Sequence, residues 1–255
     1  MSFKEIPFPD FRNNLKDFLD LSHGINFISG MSEADVTELS NKVALIQKDG
    51  RNEASLIAYF IWATSRAIAE HPKVQAIKRG NKLIIFDDVD VATMIEKELE
   101  DGSKIPFPYI IRAAQNKSFS DINAEINKVR ELSFAELKGK KKTAIIRWLP
   151  KILRMKILRL ALKSPNKSKE AMGTVGLTSI GKELKGRRFW ADPVTPYTCT
   201  LAIGSIFKHQ NREMLCLTMK INHDLIDGVP AAKFGETFIN LADFLIEKSY
   251  IVELE

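Results

Sequence analysis

The stretch Glu213–Gly228, EMLCLTMKINHDLIDG, decides the reading of this chain. From Glu213 to Asn222 it is apolar at most positions of both alternating sets, the pattern of a central strand covered on its two faces. The pattern then breaks at His223-Asp224, and Asp227-Gly228 follows. Beyond it, Pro230 has the fixed φ that suits a first helical turn, and Phe234, Phe238, Leu241 and Leu245 fall on one stripe of the helix that should follow. A His and an Asp four positions apart therefore sit where a buried strand gives way to a helix. Strand ends are where α/β proteins assemble their sites.

Working outward, Tyr197–Phe207 and Thr174–Thr178 read as two further strands, and Gly173–Gly186 is rich in glycine. Glu53–Glu70 is apolar nearly all round, so it predicts a helix buried in the middle of the fold, stopped by His71-Pro72. Ile77–Glu96 has a Gly-Asn turn between two β-rich runs and reads as a strand pair. Ile122, Ile126 and Val129 share one face of a helix over Ser118–Phe134, with Ser120 as its expected N-cap. Strands and helices mix without a βαβ period. The expected class is α/β or α+β around a substantial mixed sheet, as a single domain over residues 1–255.

The chain has 255 residues, 38 Lys+Arg against 32 Asp+Glu, 45% hydrophobic residues and 2 Cys. That composition belongs to an ordinary globular protein. Its net charge of +6 is local: Lys138–Lys169 holds 12 Lys/Arg and no acid, which leaves the remainder at −6. The basic pI thus describes one segment, and nucleic-acid binding is not expected. There is no signal-like apolar run and none long enough to span a bilayer, so the expected location is cytoplasmic. Cys199 and Cys216 lie in apolar strands with no CxxC and read as buried reduced thiols. His23, His71 and His209 have no partner at metal-ligand spacing, and no metal is expected. Gly181-Lys182 is followed by Glu183 where a phosphate loop needs Ser or Thr. Trp148, Phe189 and Trp190 read as packing or loop anchors.

The His223 imidazole can take a proton from a thiol or hydroxyl near neutral pH, and Gly228 would let the backbone turn sharply after Asp227. An HxxxDG match arises by accident on the order of once in a hundred such chains, and a His and Asp that merely cap a turn is the other reading.

NHDLIDGVPAAKF (222–234) resembles the HxxxDG signature of the acyltransferase superfamily with the chloramphenicol acetyltransferase fold. It is most similar to the catalytic domain of 2-oxoacid dehydrogenase acyltransferases. GTVGLTSIG (173–181) resembles that family's GTFTISNLG strand, and PVTPYTCTLAIGSI (193–206) its loop and strand ending in ILGVG. The helices over 53–76 and 118–131 fall in the family's order, and Phe11-Arg12 lies where the family has an N-terminal Arg. The resemblance implies a chloramphenicol acetyltransferase-like two-layer sandwich of mixed sheet and packed helices. It implies coenzyme A or acyl-CoA as substrate, an acyl thioester passing its acyl group to a small-molecule acceptor, and a homotrimer whose sites form between subunits. His223 would be the general base. Thr178 stands where the family has a Ser that donates to the oxyanion, with Ser179 on the opposite face of the strand. Asp227 would be structural, ion-pairing with Arg12, and Gly228 would support the turn.

The chain differs from such acyltransferases in two ways. Its core begins within the first dozen residues, so neither a lipoyl domain nor a lipoyl group is expected on this chain. The basic segment at about 138–169 is longer than the family's loop and reads as a helical insertion. On a helical wheel Arg147, Lys151 and Arg154 form one stripe and Lys156, Arg159 and Lys163 another, with Pro150 interrupting the start. A helix packed on protein with cationic ends reaching solvent, peripheral contact with a membrane surface, and binding of coenzyme A phosphates or an acidic partner all remain open. A non-catalytic trimeric scaffold that keeps the fold is the alternative function.

Overall fold

The computed structural model describes residues 3–5, 10–48, 55–98, 102, 104–132, 136, 149–184 and 186–243. In chain order the elements are α1 (Asp10–Leu19), β1 (Phe27–Asp35), α2 (Thr37–Lys48), α3 (Leu56–Glu70), β2 (Ile77–Arg79), β3 (Lys82–Ile84), β4 (Val91–Glu98), β5 (Lys104–Ile111), α4 (Phe119–Glu131), α5 (Lys151–Ala161), α6 (Pro165–Met172), β6 (Val175–Ser179), β7 (Cys199–His209), β8 (Arg212–Asn222) and α7 (Gly228–Ala242).

The main sheet runs β1-β8-β7-β6-β4-β5. Strand β6 is parallel to both neighbours, β4 and β7, and the remaining pairs are antiparallel. The sheet is therefore mixed, as the sequence predicts. Strands β7 and β8 are central and buried along most of their length, which is why they are the most continuously apolar stretches of the chain. On one face, Val175, Leu177, Leu201, Ile203, Leu215, Leu217 and Ile221 pack against α3, α4 and α7 in one core that includes the fully buried rings of Phe60 and Phe234. Truncating either ring to Ala would cost about 3–5 kcal/mol. Helix α3 is buried on nearly every side, as its composition predicts, and its Tyr59 hydroxyl donates to Leu241 O of α7 at 2.6 Å.

Two local readings differ from the structure. The Gly-Asn turn joins only the short β2–β3 hairpin, and Val91–Glu98 joins the main sheet instead. The N-cap of α4 is Ser118, not Ser120, because Asp121 at the third helical position completes a reciprocal capping box with it. Helix α7 starts at Gly228, which puts Pro230 in its first turn, as the sequence predicts. Trp148, Leu245 and the first part of the basic segment, 138–148, lie outside the described residues.

Candidate active site

Strand β8 ends in a turn closed by its own last residue. Asn222 O accepts from Leu225 N (3.2 Å) and Ile226 N (3.1 Å), while Asn222 Oδ1 accepts from Asp224 N at 2.9 Å. Ile226, only 4% exposed, is plugged into the core and fixes the turn to the body of the fold. A second clamp comes from the residue before β1. His223 N donates to Asn26 O (2.7 Å), and Asn26 donates back to the Asp224 carboxylate from Nδ2 (2.8 Å) and its backbone N (3.2 Å). Those donors hold the Asp224 carboxyl below the usual carboxylate range, with smaller help from the charges of Lys78 and His223. Asn222, Asp224 and Asn26 hold the turn that carries His223, and none of the three stands out as a candidate in the sequence. The first two sit within the motif; Asn26 carries no local signal.

The His223 ring stands at the exposed end of this turn with Nδ1 3.1 Å from Ile226 O. A carbonyl oxygen only accepts, so Nδ1 is the protonated nitrogen, and in the neutral ring the lone pair is on Nε2. Asp227 is the N-cap residue of α7, exposed, with an extended backbone (φ −78°, ψ 166°) and no side-chain cap hydrogen bond. Gly228 is the first residue of α7, and a Cβ there would meet nothing within 4 Å. The sharp turn expected at Gly228 is thus made by the extended Asp227 instead. Arg12 is exposed on α1, and no ion pair joins it to Asp227 among the described residues.

Thr178 lies in β6, half-buried, on the face opposite the helices, and Ser179 points the other way and is exposed, as the pleat requires. The start of β6 is tied to β4: Thr174 N donates to Asp90 O (2.8 Å), and Asp90 N donates to Thr174 Oγ1 (3.0 Å). Its end is pinned to β7 by Ile180 N donating to Ile203 O (3.1 Å) and by backbone contact at two glycines. A Cβ on Gly181 would lie 1.8 Å from Gly204 O, at the irregularity between Ile203 and Ile206. Thr178 is in register with Ala202, which is in register with Thr218. From there His223 is two strands across and five residues along, about 20 Å from Thr178 by strand geometry. Within one chain His223 and Asp227 lie at the two ends of one turn, and Thr178 is far from both.

Cys199 and Cys216 are free and buried, and burial pushes both thiols up. His71 Nε2 is 2.8 Å from Thr237 Oγ1, and His23 Nδ1 is 3.1 Å from Asp20 O. Among the described residues no cluster of His, Cys, Asp and Glu is disposed to hold a metal, and no helix is long and apolar enough to cross a membrane. A largely apolar cleft of about 380 Å³ between β1 and α7, lined in part by Gly30, Met219, Gly235 and Phe238, includes neither His223 nor Thr178.

The fold is shared with acyltransferases of known structure. Dihydrolipoamide acetyltransferase from Azotobacter vinelandii superposes with a TM-score of 0.69 at 18% identity, over 95% of this chain and 93% of that one; that structure belongs to work on a Ser, a His and an Asn in its catalytic mechanism. A probable dihydrolipoamide acetyltransferase from Listeria monocytogenes gives 0.69 at 20% identity, over 97% of each chain. A chloramphenicol acetyltransferase gives 0.51 at 18% identity, over 89% of this chain and 94% of that one. No curated protein matches the chain. The sheet and helix layers described above are those of the chloramphenicol acetyltransferase-like sandwich. Residues 1–140 match the family model of the 2-oxoacid dehydrogenases acyltransferase (catalytic domain), and the chain belongs to that family.

Proposed function

We propose that the protein is an acyltransferase that moves an acyl group between a coenzyme A thioester and a small acceptor, with His223 as general base. The carrying observation is the Nδ1–H of His223 held by Ile226 O, which leaves Nε2 free to take a proton. In the proposed step, Nε2 removes the proton from the attacking thiol or hydroxyl as its sulfur or oxygen bonds to the acyl carbonyl carbon. The carbonyl π electrons move to oxygen, giving a tetrahedral oxyanion. Collapse of that intermediate breaks the bond to the leaving thiolate or alkoxide, which takes the proton back from the His223 imidazolium.

The oxyanion needs a preorganised donor, and Thr178 is assigned that role. At about 20 Å within the chain, Thr178 cannot serve the His223 of its own subunit, which favours a homotrimer in which the two come from neighbours. In the A. vinelandii enzyme the His and the Asn under study are four positions apart, the spacing of His223 and Asp227 here. Asp227 is assigned a positioning role at the N-cap of α7, with Arg12 as its partner in the assembled site and Gly228 leaving room beside it.

A thiol-release assay over a panel of acyl-CoA donors and acceptors tests the proposal. His223→Ala should lower the rate by about 10²–10⁴-fold while leaving the circular dichroism spectrum unchanged. Equal rates for wild type and His223→Ala with every pair would instead support a scaffold that has kept the fold.

A further inference from the structure

We propose that the outward face of α5 is a docking surface for an anionic lipid bilayer. The two cation stripes of this helix have different fates. The inward stripe is neutralised by α1 and the turn that follows it: Arg154 pairs with Asp17 through Nη2 to Oδ1 (3.0 Å) and through Nε to Oδ2, and Lys151 Nζ lies 2.5 Å from Asp20 Oδ2. Met155, 8% exposed, packs on the same side. Arg79 closes the C-terminal end, donating from Nε to Lys163 O (3.1 Å) and from Nη2 to Leu162 O (2.5 Å). Pro150 is the N-cap and starts the helix rather than interrupting it.

So anchored, α5 turns its other side to solvent. Ile152 is 74% exposed, Leu160 66%, Leu153 46% and Ile157 37%. Lys156, Arg159 and Lys163 are exposed too, and none has an ion-pair partner among the described residues. At 100° per residue, Leu160, Leu153 and Ile157 form an apolar arc, and Arg159, Ile152 and Lys156 run along one flank of it, with Lys163 in the turn that follows the helix. Four large aliphatic side chains in water are unfavourable, and three unpaired cations beside them attract anions. Only a partner that is apolar and negative at once answers both. A second copy of this face would bring like cations together. Nucleic acid would leave the aliphatic chains wet. An anionic bilayer takes the aliphatic arc at the acyl boundary and the cations among its phosphates, the geometry of an interfacial helix. Lys138–Lys169 contains no acid to oppose it.

Flotation of the full chain with phosphatidylcholine vesicles, with and without phosphatidylserine, tests this. The protein should float with the anionic vesicles alone and be released by added salt. Lys156→Glu/Arg159→Glu/Lys163→Glu should weaken partitioning on the order of 100-fold. Ile152→Ser/Leu160→Ser should weaken it as well, with thermal melts of both variants checking the fold. The proposal is overturned if anionic vesicles capture nothing, if neutral vesicles capture as much, or if neither variant weakens capture. It is also overturned if Ile152→Ser/Leu160→Ser changes the oligomeric state without lipid, which would make the face a protein contact. These readouts are independent of acyl transfer.

Discussion

Thr178 and His223 lie about 20 Å apart along one sheet, because β6 meets β7 at Ala202 and β7 meets β8 at Thr218, five residues before the histidine. A side chain reaches only a few ångströms, so no rotamer change unites them. The proposed base and the proposed oxyanion donor therefore belong to different half-sites of the same subunit.

The half-site at His223 depends on the clamp between Asn26 and Asp224. Removing the carboxylate in Asp224→Ala frees the 222–226 turn without touching the ring. A steady-state assay should show kcat lower on the order of 10- to 100-fold through misplacement, with the fold intact by circular dichroism. An unchanged kcat would mean that the clamp does not position His223.

The half-site at Thr178 depends on the close approach of Gly181 to Gly204. A methyl group at 181 would overlap a backbone oxygen, and the strand end must move to relieve it. Gly181→Ala should lower stability by about 3 kcal/mol in urea titration and reduce transfer with it.

Lys97 is a buried amine, 3% exposed, that donates to the carbonyls of Val129 (2.9 Å), Arg130 (2.5 Å) and Leu132 at the end of α4. It satisfies helix-end acceptors and places a cation at the negative end of the helix dipole. Lys97→Met should cost about 2–3 kcal/mol of unfolding free energy by leaving those acceptors unpaired.

Acid should weaken the fold in a defined direction. Asp35 is held below the ordinary carboxylate value of 3.8 chiefly by the Thr37 hydroxyl, and Asp121 by the Ser118 side chain and backbone. A lowered folded pKa gives stability that is present above the unfolded value and lost as pH falls through the folded one. The urea midpoint should therefore fall below about pH 4, and fall less steeply in Asp35→Asn/Asp121→Asn, whose amides do not titrate there. Equal slopes would remove these carboxylates from the acid response.

The parts of the fold legible in the sequence are those whose burial is continuous. Strands β7 and β8 and helix α3 are covered on nearly all sides, so their runs are unmistakable. The two edge strands were not legible. In β5 the run KIPFPYII carries Pro106 and Pro108, which an edge tolerates and a central strand does not; β1 is broken up by Ser29, Gly30 and Ser32. Of the site, His223 and Asp227 stand out because they are neighbours in the chain. Asn26, 198 positions from Asp224, is brought to the turn only by the pairing of β1 with β8. Nor is it visible in the sequence that Lys151 and Arg154 pair with Asp20 and Asp17, while Lys156, Arg159 and Lys163 have no ion-pair partner among the described residues.

Subunit complementation shows whether one site draws His223 and Thr178 from two subunits. His223→Ala and Thr178→Ala should each be nearly inactive alone. Unfolded together in equal amounts and refolded into mixed trimers, they should regain about one quarter of the wild-type rate, the fraction of interfaces that pair an intact His223 with an intact Thr178. A mixture no more active than its two components would contradict a site shared between subunits.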